Sequence, residues 1–325
     1  MRFFVIAAGC LAAVCAQAAR GADVHSGCRA AHYTLVPLPL RPVAINDDGE
    51  VAGRTEDHHA ATWTRRGGLR VLPLPPGFGD SEAVGINRSG HVVGNVHDRS
   101  SGRNAAFSYE HGRLTLLAGE HTRVYGLNDA DVVVGSAVAS ESGKTEPVVW
   151  THGVLKPVDS CCGGSLTAIG SSGLGIGDLY DEQGRYHAAM WTNGGGLKPI
   201  GPPDKFSSSV AVNGAGHIVV QAYSELYLYV SGVLTRVELH PKLPTKPLAI
   251  SDCDVIVGAF GPYSDADRAF VWDQASGFLD LNAVLPADSG WKLEYATGIN
   301  GHGVIVGKGD FKGEDNAGFM LLPQP

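Results

Sequence analysis

The stretch that decides the fold is GINRSGHVVG at residues 85–94, which returns almost unchanged as GINGHGVIVG at residues 298–307. More diverged copies begin at residue 44 and fill the interval, so the phrase occurs seven times in 325 residues. The third position of each copy falls at residues 46, 87, 128, 170, 213, 251 and 300. A period of roughly forty residues is typical of solenoids, propellers and arrays.

Each phrase has the character of two short strands joined by a tight turn. Its β-branched residues favour strands. Asn at the third position and Gly at the sixth suit a type I turn followed by a residue with positive φ. Asp131 and Asp254 replace the glycine in two copies, and Asp tolerates that conformation better than most residues. The residues that we assign to this structural turn are Asn46, Gly49, Asn87, Gly90, Asn128, Asn213, Gly216, Asn300 and Gly303.

The rest of each period completes a four-stranded unit. A polar loop leads to a strand with small residues and an aromatic end, such as AATW at 60–63 or AFVW at 269–272, and a glycine turn and a fourth strand follow. Four antiparallel strands per period predict a propeller blade. The seventh unit stops after GFMLLP, while YTLVPLPL at 33–40 matches the fourth-strand pattern.

These patterns predict an all-β, seven-bladed propeller over residues 33–325, made of four-stranded antiparallel blades. An N-terminal strand would complete the last blade and close the ring, which removes the exposed edges of an open array. A six- or eight-bladed ring is the alternative if a diverged unit, such as that of Gly170 or Ser251, is miscounted.

The N-terminal segment predicts export. Arg2 precedes an apolar run at 3–15, and AQA at 16–18 has the small residues that a signal peptidase needs, so residues 1–18 are interpreted as a secretory signal and 19–32 as a tail. We expect a secreted or periplasmic protein with no membrane span. The net charge of −8 argues against nucleic acid as a partner, and we expect a monomer.

Four cysteines remain after removal of the signal, and an exported protein can pair them. On a propeller, Cys161 and Cys162 would lie in a connection between blades, whereas Cys28 and Cys253 would lie at the opposite face. Because a disulfide needs short Cα distances, we predict a Cys28–Cys253 bond, with Cys161 and Cys162 either bonded to each other or left as thiols.

The pattern (A/G)-I-N-x-x-G-x-V-V-G … H-A-F-x-W … G resembles the bacterial extracellular repeat family named for His-Ala-Phe. The turn half is well kept, while His59-Ala60 and His187-Ala188 keep the first two of the name-giving residues and Ala106-Phe107 and Ala269-Phe270 the last two. The resemblance covers essentially the whole mature chain. It implies an exported repeat protein, with no catalytic residues to transfer.

Ligand binding is expected on the face that carries the long loops, because loops on a rigid scaffold carry function. Aromatic rings there would stack on sugars, and charged side chains would bind polar groups. The candidate ligand-binding residues are Tyr180, Tyr223, Tyr263, Trp291, His59, His97, Asp98 and Arg99.

The expected function is therefore a non-enzymatic module that binds a polysaccharide, a cell-envelope component or a protein. One alternative is a hydrolase or lyase with paired carboxylates at the channel mouth, and another is a purely structural surface repeat. The carboxylates available to such an enzyme are Asp57, Asp98, Asp178, Asp181, Glu182, Asp265 and Asp267.

No metal or other cofactor is expected. His58, His59, His97 and Asp98 are ligand types, but the two adjacent histidines would point apart. Calcium is the remaining alternative, at the acidic segments near Asp47 and Asp265, although these segments lack the twelve-residue calcium-loop pattern.

Overall fold

The computed structural model describes residues 29–117, 121–139, 143–160, 162–240, 243–262 and 267–324. Its strands form seven four-stranded antiparallel sheets. The first strand of each blade contacts the first strands of both neighbouring blades, so these strands form the inner ring of a propeller. The predicted fold class and blade number are confirmed.

Blades 1 to 3 each consist of four consecutive strands. Blade 1 contains β2 (Arg41–Ile45), β3 (Val51–Arg54), β4 (Ala60–Thr64) and β5 (Gly68–Val71). Blade 2 contains β6 (Asp80–Ile86), β7 (Val92–Asp98), β8 (Arg103–Glu110) and β9 (Arg113–Leu116). Blade 3 contains β10 (Thr122–Leu127), β11 (Val132–Val138), β12 (Thr145–Thr151) and β13 (Val154–Pro157).

Blades 4 to 6 repeat this arrangement. Blade 4 contains β14 (Gly164–Ile169), β15 (Gly175–Tyr180), β16 (Tyr186–Trp191) and β17 (Lys198–Pro199). Blade 5 contains β18 (Ser208–Val212), β19 (Ile218–Ala222), β20 (Glu225–Val230) and β21 (Val233–Val237). Blade 6 contains β22 (Thr245–Ile250), β23 (Ile256–Phe260), β24 (Arg268–Asp273) and β25 (Gly277–Asp280), and a 3-10 helix (Leu281–Val284) follows it.

Blade 7 joins the two ends of the propeller. It contains β26 (Trp291–Ile299), β27 (Ile305–Phe311) and β28 (Glu314–Gln324), with β1 (His32–Leu38) as its outer strand. β1 runs antiparallel to β28, with His32 opposite Gln324 and Leu38 opposite Gly318. The ring is thus closed by the N-terminal strand, as the missing fourth strand of the seventh unit predicts. No helix among the described residues is long and apolar enough to cross a membrane.

The hydrophobic core is divided among the blade interfaces. The buried apolar residues of the described chain fall into seven clusters, each made by two adjacent blades. The cluster between blades 7 and 1, for example, packs Val306 and Met320 against Val51 and Ala61. Because every cluster needs two blades, no blade can bury its apolar faces alone.

The turns between first and second strands link neighbouring blades through asparagine side chains. Asn46 donates from Nδ2 to the carbonyl oxygen of Asn87 at 2.9 Å, and Asn87 donates to that of Asn128 at 3.2 Å. Asn300 donates to the carbonyl oxygen of Asn46 at 3.1 Å, across the junction of the last and first blades. Equivalent bonds run from Asn128 to Gly170 and from Asn213 to Ser251.

Each asparagine also shapes its own turn. The Oδ1 atom of Asn87 accepts hydrogen bonds from the backbone N–H groups of Ser89 and His91, both at 3.1 Å. The sixth position of all seven turns has positive φ, including 80° at Gly90 and 56° at Asp131. One side chain therefore fixes the turn and joins it to the next blade.

The two aspartates at the sixth position have cross-blade partners. Asp131 accepts from Asn87 Nδ2 at 2.9 Å and lies 2.8 Å from His91 Nδ1. Asp254 contacts Asn213 and His217 in the same way, at 2.8 and 2.7 Å. The tolerance of Asp for positive φ does not by itself explain why Asp occupies these positions, because each carboxylate also binds two polar groups of the preceding blade.

The glycine that ends the phrase is required by close packing. The first strand of every blade has a β-bulge just before the turn. A Cβ atom on Gly94 would overlap the carbonyl oxygen of Glu82 on that strand and the ring of Phe107. The corresponding glycines of five other blades face the same carbonyl contact, while Val220 takes this position in blade 5.

The cysteine pairing stays a prediction, because Cys28 and Cys161 lie outside the described residues. Cys253 lies in the turn between β22 and β23 and packs against the cluster between blades 6 and 7, where Ala30 also packs. Arg29 is bound to Asp273 of blade 6 at 2.9 Å. The residues that follow Cys28 are therefore held on the same blade as Cys253.

Replacement of Asn87 by Ala is expected to lower the free energy of unfolding by about 2–3 kcal/mol, because it removes both the turn bonds and the bond to blade 3. Urea denaturation at constant m-value measures this change. Asn193→Ala, in an exposed turn of blade 4, is the control and should change stability by less than about 0.5 kcal/mol. Equal stability of the two variants would contradict the structural role of Asn87.

Gly94→Ala is expected to destabilise the protein by about 3 kcal/mol or more, because the added methyl group overlaps backbone and a buried ring. Gly79 has open space around its Cβ position and no positive φ, so Gly79→Ala is the matched control. Thermal unfolding of both variants tests the prediction, and an unchanged melting temperature for Gly94→Ala would refute it.

Candidate binding surface on the loop-rich face

Two sets of loops share one face of the propeller, which we call the loop-rich face. The turns between first and second strands lie at the other end of the blades, here called the Asn-turn face. Since the strands are antiparallel, the loops from second to third strands and the connections between blades end on the loop-rich face. This face therefore carries the segments whose length and sequence vary most from blade to blade.

Four aromatic side chains of blades 4 and 5 lie together on the loop-rich face, and we call them the aromatic platform. Tyr180 and Tyr186 lie opposite each other at the ends of β15 and β16. The ring of Phe206, in the connection to blade 5, is 5.3 Å from that of Tyr186 and 6.1 Å from that of Tyr223. Three separate segments thus converge on one aromatic surface.

The three tyrosines of the platform are unusually exposed for large aromatic side chains. Tyr180, Tyr186 and Tyr223 are 45%, 43% and 62% exposed. The other exposed large hydrophobic residues of the described chain are Val or Leu, and none is aromatic. Exposed apolar patches of this kind mark binding sites more often than single exposed residues do.

Backbone strain also occurs at the platform. Tyr223 has a φ of 53°, in the short turn between β19 and β20. Gly adopts this left-handed region freely and Asn and Asp tolerate it, but a bulky residue such as Tyr is disfavoured there. The turn thus holds an exposed tyrosine in a conformation that glycine would adopt without strain.

Charged groups border the platform at blade 5. The Lys205 ammonium contacts the Glu225 carboxylate, which also accepts from the Tyr227 hydroxyl at 3.0 Å. The hydrogen bond from Lys205 holds the pKa of the Glu225 carboxyl below its usual value. Arg236 lies 3.3 Å from the same carboxylate. These side chains place hydrogen-bonding groups beside the rings.

Asp178 lies two residues before Tyr180 on β15 and is half-buried. Burial raises the pKa of its carboxyl to about 6, although a hydrogen bond from the backbone N–H of Ser209 partly offsets this effect. Asn95 occupies the equivalent position in blade 2, where its side chain both accepts from and donates to the backbone of Val124. Asp178 is therefore a carboxylate in a position that suits an amide.

A second feature of the loop-rich face, the arginine hollow, has a volume of about 460 Å³. Its lining includes Arg54, Arg99, Arg103 and Arg123, with His97 beside them. Three of the predicted ligand-binding residues, His97, Asp98 and Arg99, lie here. Arg54 and Arg123, which come from two other blades, were not among the predicted residues.

Trp291 and His59 lie apart from both features, in a groove of about 620 Å³ between blades 7 and 1. The Trp291 ring stacks on Phe311 with a centroid distance of 4.8 Å, and it packs edge-on against buried Phe319. Trp291 thus serves in part to pack blade 7. Tyr263 lies outside the described residues.

Several carboxylates considered for catalysis are engaged within the protein. Hydrogen bonds from Ser100 and Ser101 lower the pKa of Asp98 to about 2. Asp181 binds Arg185 and His187. Asp267 is fully buried and binds Lys246 at 2.7 Å and the Tyr295 hydroxyl, which raises the pKa of that phenol to about 12.

The acidic segment near Asp47, one of the two considered for calcium, is engaged in contacts within the protein. Asp47 accepts from the backbone N–H of Gly301 at 2.9 Å and binds the Arg88 guanidinium at 2.8 Å. Asp265 lies outside the described residues. Within the part of the chain that is described, no group of three or more His, Cys, Asp or Glu side chains is placed to hold a metal ion.

The structure thus brings Tyr180 and Tyr223 together, and separately His97, Asp98 and Arg99. It adds Tyr186 and Phe206 to the first group, and Arg54 and Arg123 to the second. The sequence repeat could have been used to find Tyr186 and Phe206. Tyr186 begins a third strand and Phe206 ends a blade connection, so aligning the blades by their loops would have placed both residues on the loop-rich face.

No protein-family model matches the chain, and no curated protein is similar to it in sequence. Solved propeller structures are similar in fold. A streptogramin B lyase has 13% identity and a TM-score of 0.60, over 90% of this chain and 98% of that one. Virginiamycin B lyase from Staphylococcus aureus has 13% identity and a TM-score of 0.61, over 90% and 100%.

The propeller domain of the Trilobed protease from Pyrococcus furiosus has 10% identity and a TM-score of 0.61, over 90% of this chain and 96% of that domain. That domain has an open velcro topology, whereas pairing of β1 with β28 closes the present ring. At such identities, the likeness establishes the fold and carries no activity to this chain.

Asp178→Asn is expected to stabilise the protein by about 1–3 kcal/mol at neutral and higher pH. Because the pKa of Asp178 is raised on folding, the native state binds the proton more tightly and loses stability as pH rises from about 4 to about 6. The advantage of the Asn variant should therefore be small below about pH 4 and grow through this range. Denaturation of both proteins across pH measures the difference, with exposed Asp204→Asn as the control.

Proposed function

We propose that this chain is an exported, non-enzymatic propeller that binds a polysaccharide through the aromatic platform. The observation that carries the proposal is the grouping of exposed aromatic residues. Tyr180, Tyr186 and Tyr223 are all exposed, and Phe206 joins the last two. The signal-like N-terminus and the resemblance to the His-Ala-Phe repeats support export.

The chemistry of the platform suits a sugar better than an apolar protein surface. Three of its four residues are tyrosines, each of which combines an apolar ring with a hydroxyl that donates and accepts hydrogen bonds. A pyranose ring has the complementary character, with apolar C–H faces and a rim of hydroxyls.

The charged border adds hydrogen-bonding capacity where sugar hydroxyls would project. Glu225 accepts hydrogen bonds, and Lys205 and Arg236 donate them. Because Lys205 and Arg236 both contact the Glu225 carboxylate, the three groups hold one another in place. Such fixed polar groups orient a ligand on an aromatic surface.

Binding of the mature protein, residues 19–325, to a panel of glycans and cell-wall polysaccharides tests this function. We expect a saturable interaction that weakens about tenfold or more in Tyr223→Ala and in Tyr186→Ala, because each loses ring contact. Val233→Ala is the matched control, since Val233 is 63% exposed on the outer strand of blade 5. It should bind as the unaltered protein does.

The same panel separates the alternatives. Cleavage of a bound polysaccharide would show that the protein is a hydrolase or lyase and not a binding module. If no glycan binds and one envelope protein is captured in a way that depends on Tyr223, the ligand of the platform is a protein and not a saccharide. Absence of both glycan binding and protein capture would favour a structural surface repeat and would contradict the proposal.

A further inference from the structure

We propose that the arginine hollow is an anion-binding site for the carboxylate or sulfate groups of an acidic ligand. The hollow lies on blades 1, 2 and 3, whereas the aromatic platform lies on blades 4 and 5. The proposal therefore rests on different residues from the proposed function. It extends that function only in one respect, since an acidic saccharide that reached both sites would use them together.

The lining of the hollow contains more positively than negatively charged groups. Four guanidinium groups and His97 line the hollow, against the carboxylates of Asp80, Glu82 and Asp98. The chain as a whole carries a net charge of −8. The cluster of arginines therefore makes this region positive in a protein that is negative as a whole. The resulting local electric field attracts anions.

Two of the arginines have no counter-charge bonded to them among the described residues. Arg99 is paired with Asp80, and the guanidinium of Arg103 lies over the Phe78 ring at 5.2 Å. Arg54 and Arg123, by contrast, make no side-chain hydrogen bond or ion pair within the described part of the chain. Their donors remain available to a ligand.

The acidic side chains of the hollow do not compensate these two arginines. Asp98 accepts hydrogen bonds from the hydroxyls of Ser100 and Ser101 within its own loop. Asp80 is occupied by Arg99, and Glu82 lies 3.8 Å from His97. By formal charge, the four arginines of the lining outnumber its three carboxylates by one, which leaves one surplus positive charge for an incoming anion.

A further arginine lies on the strand next to Arg54. Arg41 on β2 lies directly opposite Arg54 on β3, and like charges at such positions destabilise a strand pair. The Nε atom of Arg41 is buried without a hydrogen-bond partner, which leaves a desolvated donor unsatisfied. Arg41, which itself lines the neighbouring groove between blades 7 and 1, thus adds a second positive charge on the strand beside Arg54.

The chemistry of guanidinium selects the ligand class. Its planar N–H groups bind carboxylate, sulfate or phosphate oxygens in pairs. Arg54 is half-buried at the end of β3 and Arg123 is exposed at the start of β10, so both side chains extend from strands of the rigid scaffold. A ligand with anionic groups would gain more from this site than a neutral one.

The test is calorimetric titration of the mature protein at low ionic strength with inorganic sulfate, inorganic phosphate and galacturonate oligomers. We expect saturable binding of at least one of these anions. The double variant Arg54→Gln/Arg123→Gln should bind it about tenfold or more weakly. The control Arg65→Gln/Arg66→Gln removes the same charge from an exposed turn on the Asn-turn face and should bind normally.

The outcomes separate this proposal from the proposed function. If Tyr223→Ala leaves sulfate binding unchanged, the anion site acts independently of the platform, whether or not the platform binds a sugar. A preference for galacturonate oligomers over sulfate would identify an acidic saccharide as the ligand, and the reverse would identify a free oxyanion. Absence of saturable binding to all three anions, or equal loss in the control variant, would overturn the proposal.

Discussion

The hydrogen bond from a turn asparagine to the next blade is the interaction on which the ring depends. Asn87 shapes its own turn through Oδ1 and reaches the backbone of blade 3 through Nδ2. Since the same bond joins Asn300 to Asn46, the last blade is linked to the first in the same way as blade 2 is linked to blade 3. Where Gly170 or Ser251 replaces the asparagine, the apolar clusters between blades must hold the ring without this bond.

The repeated backbone leaves the loop-rich face free to vary. The asparagine turn and the final glycine of the phrase both act at the inner strands, where blades approach one another most closely. The loops that end on the other face take no part in these contacts. Blades that share one architecture can therefore carry tyrosines in one sector, such as Tyr186, and arginines in another, such as Arg123.

The fold was predictable because its determinants are local and repeated. Asn and Gly at fixed spacing predict a turn, and seven such turns predict seven blades. The candidate surface was only partly predictable. Tyr180 and Tyr223 were chosen because their loops were recognised, but Phe206 joins them only through packing between blades. Likewise, no spacing in the sequence shows that Arg54 is without a bonded partner among the described residues, because this depends on three-dimensional contacts.

The closing strand also determines how the propeller would be displayed. β1 begins at His32 opposite Gln324, the final residue of β28, and this end of blade 7 lies on the Asn-turn face. A tether, an anchor or a further domain joined before β1 or after β28 would thus leave the ring on the side away from the aromatic platform. If the protein were attached to a surface at either end, the aromatic platform would face away from that surface.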